Sequence, residues 1–345
     1  MTDSGIAMKP TAAKSVGSVI PSRGVLAAAG LAAVVGAFMP GVVGSVLLLS
    51  LMTQAVIGAV LATGVGLLFR QNGVVSFGHA AFYGTAAYII GLSLRHGWPS
   101  ADAAIIAALL IPPVFAFLLG LVIVRIPGVA FAMLTLAVGQ ALYEFALKAR
   151  HVSGGDDGFA LDFPSQIFGV SLRTFQHPAS MFVFSWMVLI VILVALHVFT
   201  RSPFGRLTAA IRENEERARF IGYRTLVPRA LVYAASAFIA AIAGVLAALY
   251  NGFVSPDMLH WSLSGSALIM AIVGGPRHIW GPAMGAVIFF FVKDFAGNLT
   301  EHWPAIIGGI LIITTLMLPD GVSGALIRLW EKIWTRNRAT DEAAR

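Results

Sequence analysis

The sequence predicts an all-α, polytopic integral membrane protein of about ten transmembrane helices. Three observations carry this. First, 58% of the 345 residues are hydrophobic and 11% charged, at a mean hydropathy of +0.86, whereas a soluble domain carries about 25% charged residues. Second, the apolar residues fall into discrete segments, and at roughly 20 residues per crossing about ten helices fit the length. Third, the basic residues concentrate in alternate loops. There is no cysteine, which excludes disulfide frameworks, thiolate nucleophiles and cysteine-ligated metals.

In chain order, residues 1–23 form a polar tail with Lys9, Lys14 and Arg23, and 24–40 reads as a retained first helix rather than a cleaved signal. The further apolar segments are 43–69, 73–94, 100–124, 128–147, 180–200, 229–253, 262–274, 283–298 and 304–319. Short Gly, Pro or Arg punctuation divides several of them, as at Arg70–Gly73 and Gly274–Pro282. The segment 262–274 is short enough for a half-helix. With the N-terminus in the cytoplasm, 18 of the 23 Lys and Arg residues fall inside. Arg95, Lys148, Arg150 and Arg173 fall outside, and Lys293 lies within a helix. That bias follows the positive-inside rule and accounts for the net charge of +7 without nucleic acid. The expected organisation is a cytoplasmic tail at 1–23, a membrane domain at 24–324 and a cytoplasmic tail at 325–345, both termini cytoplasmic. Segments 43–147 and 229–319 each hold about four spans entering from opposite sides, the pattern of an inverted repeat. No sequence identity between them proves it.

Two loops stand out, an extracytoplasmic one at 148–179 and a cytoplasmic one at 201–228. The cytoplasmic loop reads as one short amphipathic helix with Leu207, Ile211, Asn214, Ala218 and Ile221 on one face. Glu215 stands four residues before Arg219 for a helical ion pair, and Gly222 is placed as a helix stop. A solvated loop that merely fixes topology is the plainer reading. The outer run Gly154–Gly158 lacks the ligand alternation of an EF-hand, so a turn-rich docking surface or a plain connector is expected, not a metal site. No GxxxxGK[ST] phosphate loop occurs, so any ATP would be bound by another subunit.

Polar groups at membrane depth are functional candidates. His79, six residues into the third segment beside Ser76, is read either as lining a pathway or as a neutral histidine bonded to a neighbouring helix. Gln140 and Glu144 share a face, where Glu144 meets either a solute ammonium or Lys148. Lys293 and Asp294 are adjacent, point in different directions on a helix, and have no evident partner; snorkelling to the interface is the other reading of Lys293. No metal cluster or Ser-His-Asp arrangement can be assembled from these residues, so an enzyme is not expected.

The run Glu216-Arg217-Ala218 with Gly222 six residues after the glutamate resembles the EAA-type loop of ABC-importer permeases, although Arg217 replaces an alanine and the Leu-Pro ending is shortened to Val227-Pro228. NGVVSFGHAAFYGTAAY at 72–88 resembles the signature of branched-chain amino acid permeases of the LivM type. GVAFAMLTLAVGQ (128–140), SGGDDGF (153–159), SPFGRLTAAIRENEERA (202–218), GFVSPD (252–257), IVGG (272–275), WGPAMGA (280–286) and LPDGVSG (318–324) look like that family, in family order. The resemblance implies an inner-membrane permease of an ATP-binding-cassette importer. It would pair with a second permease, two ATPase subunits that bind the ATP, and an extracytoplasmic solute-binding protein. It implies that Arg206, Arg212, Glu215, Glu216, Arg217, Ala218 and Gly222 form the ATPase-coupling loop. Ser76, His79, Gln140 and Glu144 stay candidates for the translocation pathway. The cargo is a branched-chain amino acid or, in other members of the wider family, urea, a short amide or another small solute. An ion-coupled secondary transporter is the competing class.

Overall fold

The computed structural model describes residues 23–332 except 98–99, 127, 319 and 330. The expected tail at 1–23 lies, but for Arg23, outside the described residues, as does the expected C-terminal tail beyond Lys332. Residues 325–329 of that tail lie in a helix, Gly321–Leu329.

An apolar chain satisfies its backbone without water only as helices or closed barrels, and here it folds as helices. They are α1 (Arg23–Val42), α2 (Val46–Asn72), α3 (His79–Arg95), α4 (Ala101–Ile123) and α5 (Val129–Lys148). The outer loop holds α6 (Arg150–Ser153), β1 (Phe159–Ala160), β2 (Gln166–Ile167), β3 (Val170–Ser171) and α7 (Leu172–Gln176). Then come α8 (Pro178–Arg201), α9 (Pro203–Glu213), α10 (Glu215–Phe220), α11 (Leu226–Asn251) and β4 (Phe253–Val254). The chain continues through α12 (Trp261–Gly274), α13 (Gly281–Leu299) and α14 (Trp303–Met317).

The polytopic all-α class holds, but the ten expected spans do not all become long helices. Among the described residues seven helices are long and apolar enough to cross a membrane, or eight if α14 and the helix after it, bent by 48°, count as one span. The difference has a local cause. Gly73, at φ +68, caps α2 by donating its N–H to the Phe69 carbonyl, and 74–78 are not helical. His79 therefore opens α3 rather than lying inside it, and α3 has 17 residues. α12, with 14, is the half-helix that its length foreshadowed.

Two halves share one wiring. α2 and α11 pack together and run antiparallel, because Asn72 Nδ2 donates to the Arg229 carbonyl at one end and the Tyr250 hydroxyl donates to Ser50 Oγ at the other. Each long helix finishes in Asn-Gly-x-Val-Ser, at 72–76 and 251–255, with the glycine in the left-handed region at φ +68 and +62. A non-helical stretch and a shortened helix follow in both. α4 of the first half then packs along α11, while α13 of the second packs along α2. This is an inverted repeat with exchanged arms, and the five-residue motif is local identity that the whole-sequence reading passed over.

Small residues let these helices touch, the usual device where lipid supplies no hydrophobic drive between helices. A Cβ on Gly244 would collide with the Tyr83 carbonyl, so α11 and α3 meet backbone to backbone. The outer loop is more than a connector: β1 pairs antiparallel with β4, strapping it to the end of α11. β2 and β3 form a hairpin whose tip residues Phe168 and Gly169 both have positive φ, as a two-residue primed turn requires.

Gly244→Ala gains helix propensity yet should overpack the α11–α3 contact by about 1–3 kcal/mol. Its melting temperature in detergent should fall by several degrees. Gly308→Ala, where the new methyl meets open space, should leave melting unchanged or raise it, and equal behaviour of the two would refute the contact.

Candidate functional site

The loop after α8 is an elbow rather than one helix. Ser202 caps α9, its Oγ accepting from Gly205 N at 3.0 Å, and Pro203 occupies the first turn, where its missing N–H is not needed. The polar residue expected to interrupt the apolar face ends the helix instead. Asn214, extended at φ −157, closes α9, and its Oδ1 accepts from Arg217 N at 2.8 Å to start α10. α10 stops after Phe220. Gly222 turns at φ +93, and Tyr223 N donates to the Ala218 carbonyl at 3.1 Å. Because the helix breaks at Asn214, the expected single face does not persist. Ile211 and Ala218 are buried, whereas Ile221 is 70% exposed.

Glu215 organises the elbow. Its Oε1 accepts from Arg219 Nη2 at 2.5 Å and from the Thr225 hydroxyl at 2.7 Å, and its Oε2 accepts from Arg229 Nη1 at 2.6 Å. The i,i+4 pair with Arg219 is thus one of three contacts, and the other two, Thr225 and Arg229, are buried, at 4% and 8% exposure. Burial alone would raise the Glu215 carboxyl, but the Thr225 hydroxyl, Arg229 and Arg219 overcome it and hold it below the ordinary carboxylate range. On the other side Arg212 Nη1 donates to the Arg70 carbonyl at 2.7 Å, at the C-terminal end of α2 where a cation meets the helix dipole favourably. The Thr208 hydroxyl donates to Gln71 Oε1 at 3.0 Å. Arg70 Nη1 in turn donates to the Arg277 carbonyl at 2.8 Å, in the α12–α13 turn, and Arg277 pairs with Asp320. The elbow is therefore bolted to the end of α2 and the start of α11, one long helix from each half.

The other expected loop residues are outward-facing. Arg206, Glu216 and Arg217 are exposed, and among the described residues none of them forms an ion pair. Phe220 and Tyr223 stand beside them, 89% and 51% exposed. Ala218, expected to meet a partner, points into the protein at 5% exposure.

The pathway candidates make contacts within the protein. His79 is fully buried, with Nε2 3.3 Å from Ser236 Oγ of α11, and Ser76 Oγ accepts from Gly78 N at 3.2 Å. Gln140 Nε2 donates to Glu144 Oε1 at 3.2 Å, and Lys148 meets the same carboxylate at 3.5 Å. The residues that line open space are different. A cavity of about 180 Å³ between α2, α3, α11 and α13 is lined by Gln54, Tyr83, Tyr250, Asn251 and Phe290 among others. A second, of about 290 Å³, shares Gln54 and Phe290 with it and adds Lys293, Asp294, Asn298 and Trp303. Lys293 and Asp294 were conspicuous in the sequence as intramembrane charges. Gln54, Tyr250 and Asn251 were not, because uncharged polar residues inside apolar helices carry no pattern that says which way they face. Among the described residues no three His, Asp or Glu side chains are placed to hold a metal.

Removing the Glu215 charge leaves buried Arg229 uncompensated. A fully buried truncation of this kind costs about 3–5 kcal/mol, less here because Glu215 itself is 30% exposed. Glu215→Gln should raise hydrogen exchange of the α10 amides roughly 5–30-fold. The folded pKa is depressed, so the stabilisation is present above the unfolded carboxylate value and is lost as pH falls through the folded one. Wild-type exchange, corrected for its intrinsic pH dependence, should approach that of the variant as pH falls through that depressed value.

Residues 47–316 match the family model described as branched-chain amino acid transport system / permease component. The chain is 24% identical over 290 residues to the high-affinity branched-chain amino acid transport system permease protein LivM of Salmonella typhimurium, covering 78% of this chain and 68% of that protein. It is 24% identical over 286 residues to the permease protein LivH of the same kind of system in Escherichia coli, covering 77% and 91%. It is 25% identical over 280 residues to the autoinducer 2 import system permease protein LsrC of Photorhabdus laumondii, covering 78% and 79%. No solved structure matches it. These relatives are transport permeases rather than enzymes, and the family match spans most of the chain: it belongs to the family of branched-chain amino acid transport system permease components.

Proposed function

We propose that this chain is one of two permease subunits of an ATP-binding-cassette importer for branched-chain or related amino acids. ATP is bound by two partner ATPase subunits, and an extracytoplasmic binding protein delivers the solute. The protein spans the inner membrane with both termini and the elbow in the cytoplasm, the side that the Lys and Arg excess assigns to them.

The observation that carries this reading is the mounting of the elbow. Its outer surface presents Glu216, Arg217, Phe220 and Tyr223, a mixed apolar and charged patch suited to a protein groove. Its inner surface is tied by Thr208 and Arg212 to α2 and by Glu215 to Arg229 of α11. A displacement applied to the patch is handed to both halves together, which alternating access requires. Ala218 and Gly222 serve as packing and turn residues behind the patch. A different cargo is the second reading, supported by similarity to LsrC, 25% identical over 280 residues.

Glu216→Lys reverses an exposed charge without touching the Glu215 contacts. With both ATPases coexpressed, it should reduce their copurification and solute uptake at least tenfold while the membrane level of the permease holds, as loss of an interfacial charge pair implies. Normal copurification and uptake would make the elbow a solvated connector. Sidedness has a separate check, clean because the chain has no cysteine. In sealed cells His96→Cys should react with an impermeant thiol reagent and Glu213→Cys should not. The opposite pattern overturns the orientation.

A further inference from the structure

The arms of the inverted repeat differ in one respect that their shared wiring does not require. α4, the arm packed on α11, turns Ile106, Leu110, Val114, Leu118 and Val122 outward, and its one charged residue, Asp102, sits in the first turn. That surface suits lipid. α13, the matching arm packed on α2, also turns Phe291, Phe295 and Leu299 outward, but among them it exposes Lys293, Asp294 and Asn298, beside exposed Gln54 of α2. Lys293 and Asp294 lie roughly 8–9 Å from the Leu299 end of α13 at 1.5 Å per residue, too deep to count as a terminal turn. They do not pair with each other. Among the described residues Lys293 Nζ rests 5.1 Å over the Trp303 ring, and Asp294 has neither a hydrogen bond nor an ion pair. Two opposite, unneutralised charges on an exposed membrane-depth face argue for an aqueous or solute-filled surface rather than hydrocarbon.

Both charges border the same cavity, together with Gln54, Asn298 and Trp303. Leu51 and Phe290 add apolar lining, and Gln54 and Phe290 also line the neighbouring cavity with Tyr83 and Tyr250. A positive group, a negative group and an apolar lining are complementary to a small zwitterion with an aliphatic side chain. Urea also bonds an ammonium through its carbonyl and a carboxylate through its N–H groups, but it has no aliphatic part to lie against Leu51, Phe290 and Trp303.

We propose that the groove between α2 and α13 binds free aliphatic α-amino acids on their way through the membrane, Lys293 meeting the α-carboxylate and Asp294 the α-ammonium. The side chain lies against Leu51, Phe290 and Trp303, and the second permease covers the open side. This rests on the permease reading above and narrows its cargo to zwitterions.

The test uses the complete transporter in proteoliposomes, with leucine uptake and diazirine-leucine photolabelling measured on the same preparation. Labelling should map to the peptides carrying Leu51, Phe290 or Trp303. Excess leucine should suppress it, while 4-methylpentanoate, which lacks the ammonium, and 3-methylbutylamine, which lacks the carboxylate, should not. Lys293→Gln and Asp294→Asn should each lower labelling and uptake about tenfold, as loss of one charge-assisted contact implies. Lys293→Arg should retain both. Leucine uptake by the wild type with no label in these peptides would overturn the groove and leave the permease reading standing. Variants that lose the second permease on purification while labelling of the remaining complex is unchanged would also overturn it, since the charges would then be subunit contacts. Absence of amino-acid uptake by the wild-type complex would overturn the cargo reading and the groove together.

Discussion

Hydrocarbon offers a peptide group no hydrogen bond, and the architecture depends on how this chain meets that constraint where its helices stop. Unsatisfied groups cost several kcal/mol each in lipid, so every break has to be repaired from within the protein. After α2 the repair is made by side chains from other helices. Thr135 Oγ1 of α5 accepts from Phe77 N at 3.2 Å, and Ser264 Oγ of α12 accepts from Ala80 N at 2.7 Å. After α11 it is made by backbone, through the β1–β4 pair and Leu161 N donating to the Gly252 carbonyl at 2.9 Å. The buried hydroxyls near the α3 start thus have a structural task. His79 stands beside them with Nε2 near Ser236 Oγ and its buried Nδ1 without a hydrogen-bond partner among the described residues.

Charges obey a stricter version of the rule. On insertion scales a charged side chain at the centre of a span costs about 2.5–3.5 kcal/mol, and most of the charges here avoid it. Glu215 and Arg229 sit at the water-facing start of α11, where three donors neutralise one carboxylate. Glu144 is matched to Lys148 one turn away, near the end of α5. Lys293 and Asp294 are the departure from this economy. Their retention on an exposed face is informative because neighbouring α13 positions, Phe291 and Phe295, show that an apolar surface was available there.

The legible part of the fold was the part written in bulk hydropathy. Composition and apolar runs specify a helical membrane bundle, and the spacing of Glu215 from Arg219 specifies a contact that the structure contains. What stayed hidden depends on single residues acting in two ways. Asn214 reads as a polar interruption of an amphipathic face, yet an asparagine side chain that bonds forward to Arg217 N is also a helix start. Gly73 reads as punctuation between two spans, and only its positive φ shows that a non-helical stretch of five residues follows it. Glu215 pairs across ten residues with Thr225 and across fourteen with Arg229, and no helical periodicity forecasts partners beyond a turn.

The repeat explains why one chain can be stiff and still transmit motion. Each half lends an arm to the other, α4 to α11 and α13 to α2, so neither half can move its long helix without carrying the opposite arm. The elbow grips both long helices at one end, while the β1–β4 strap ties the outer loop to the far end of α11. The helix that the elbow holds through Thr208 and Arg212, α2, is thus the helix that α13 packs along. Rigid-body rocking of paired repeats about a fixed site is the general way such bundles alternate access. In this chain the pair that would rock, α2 with its borrowed arm α13, is also the pair that carries the charged groove.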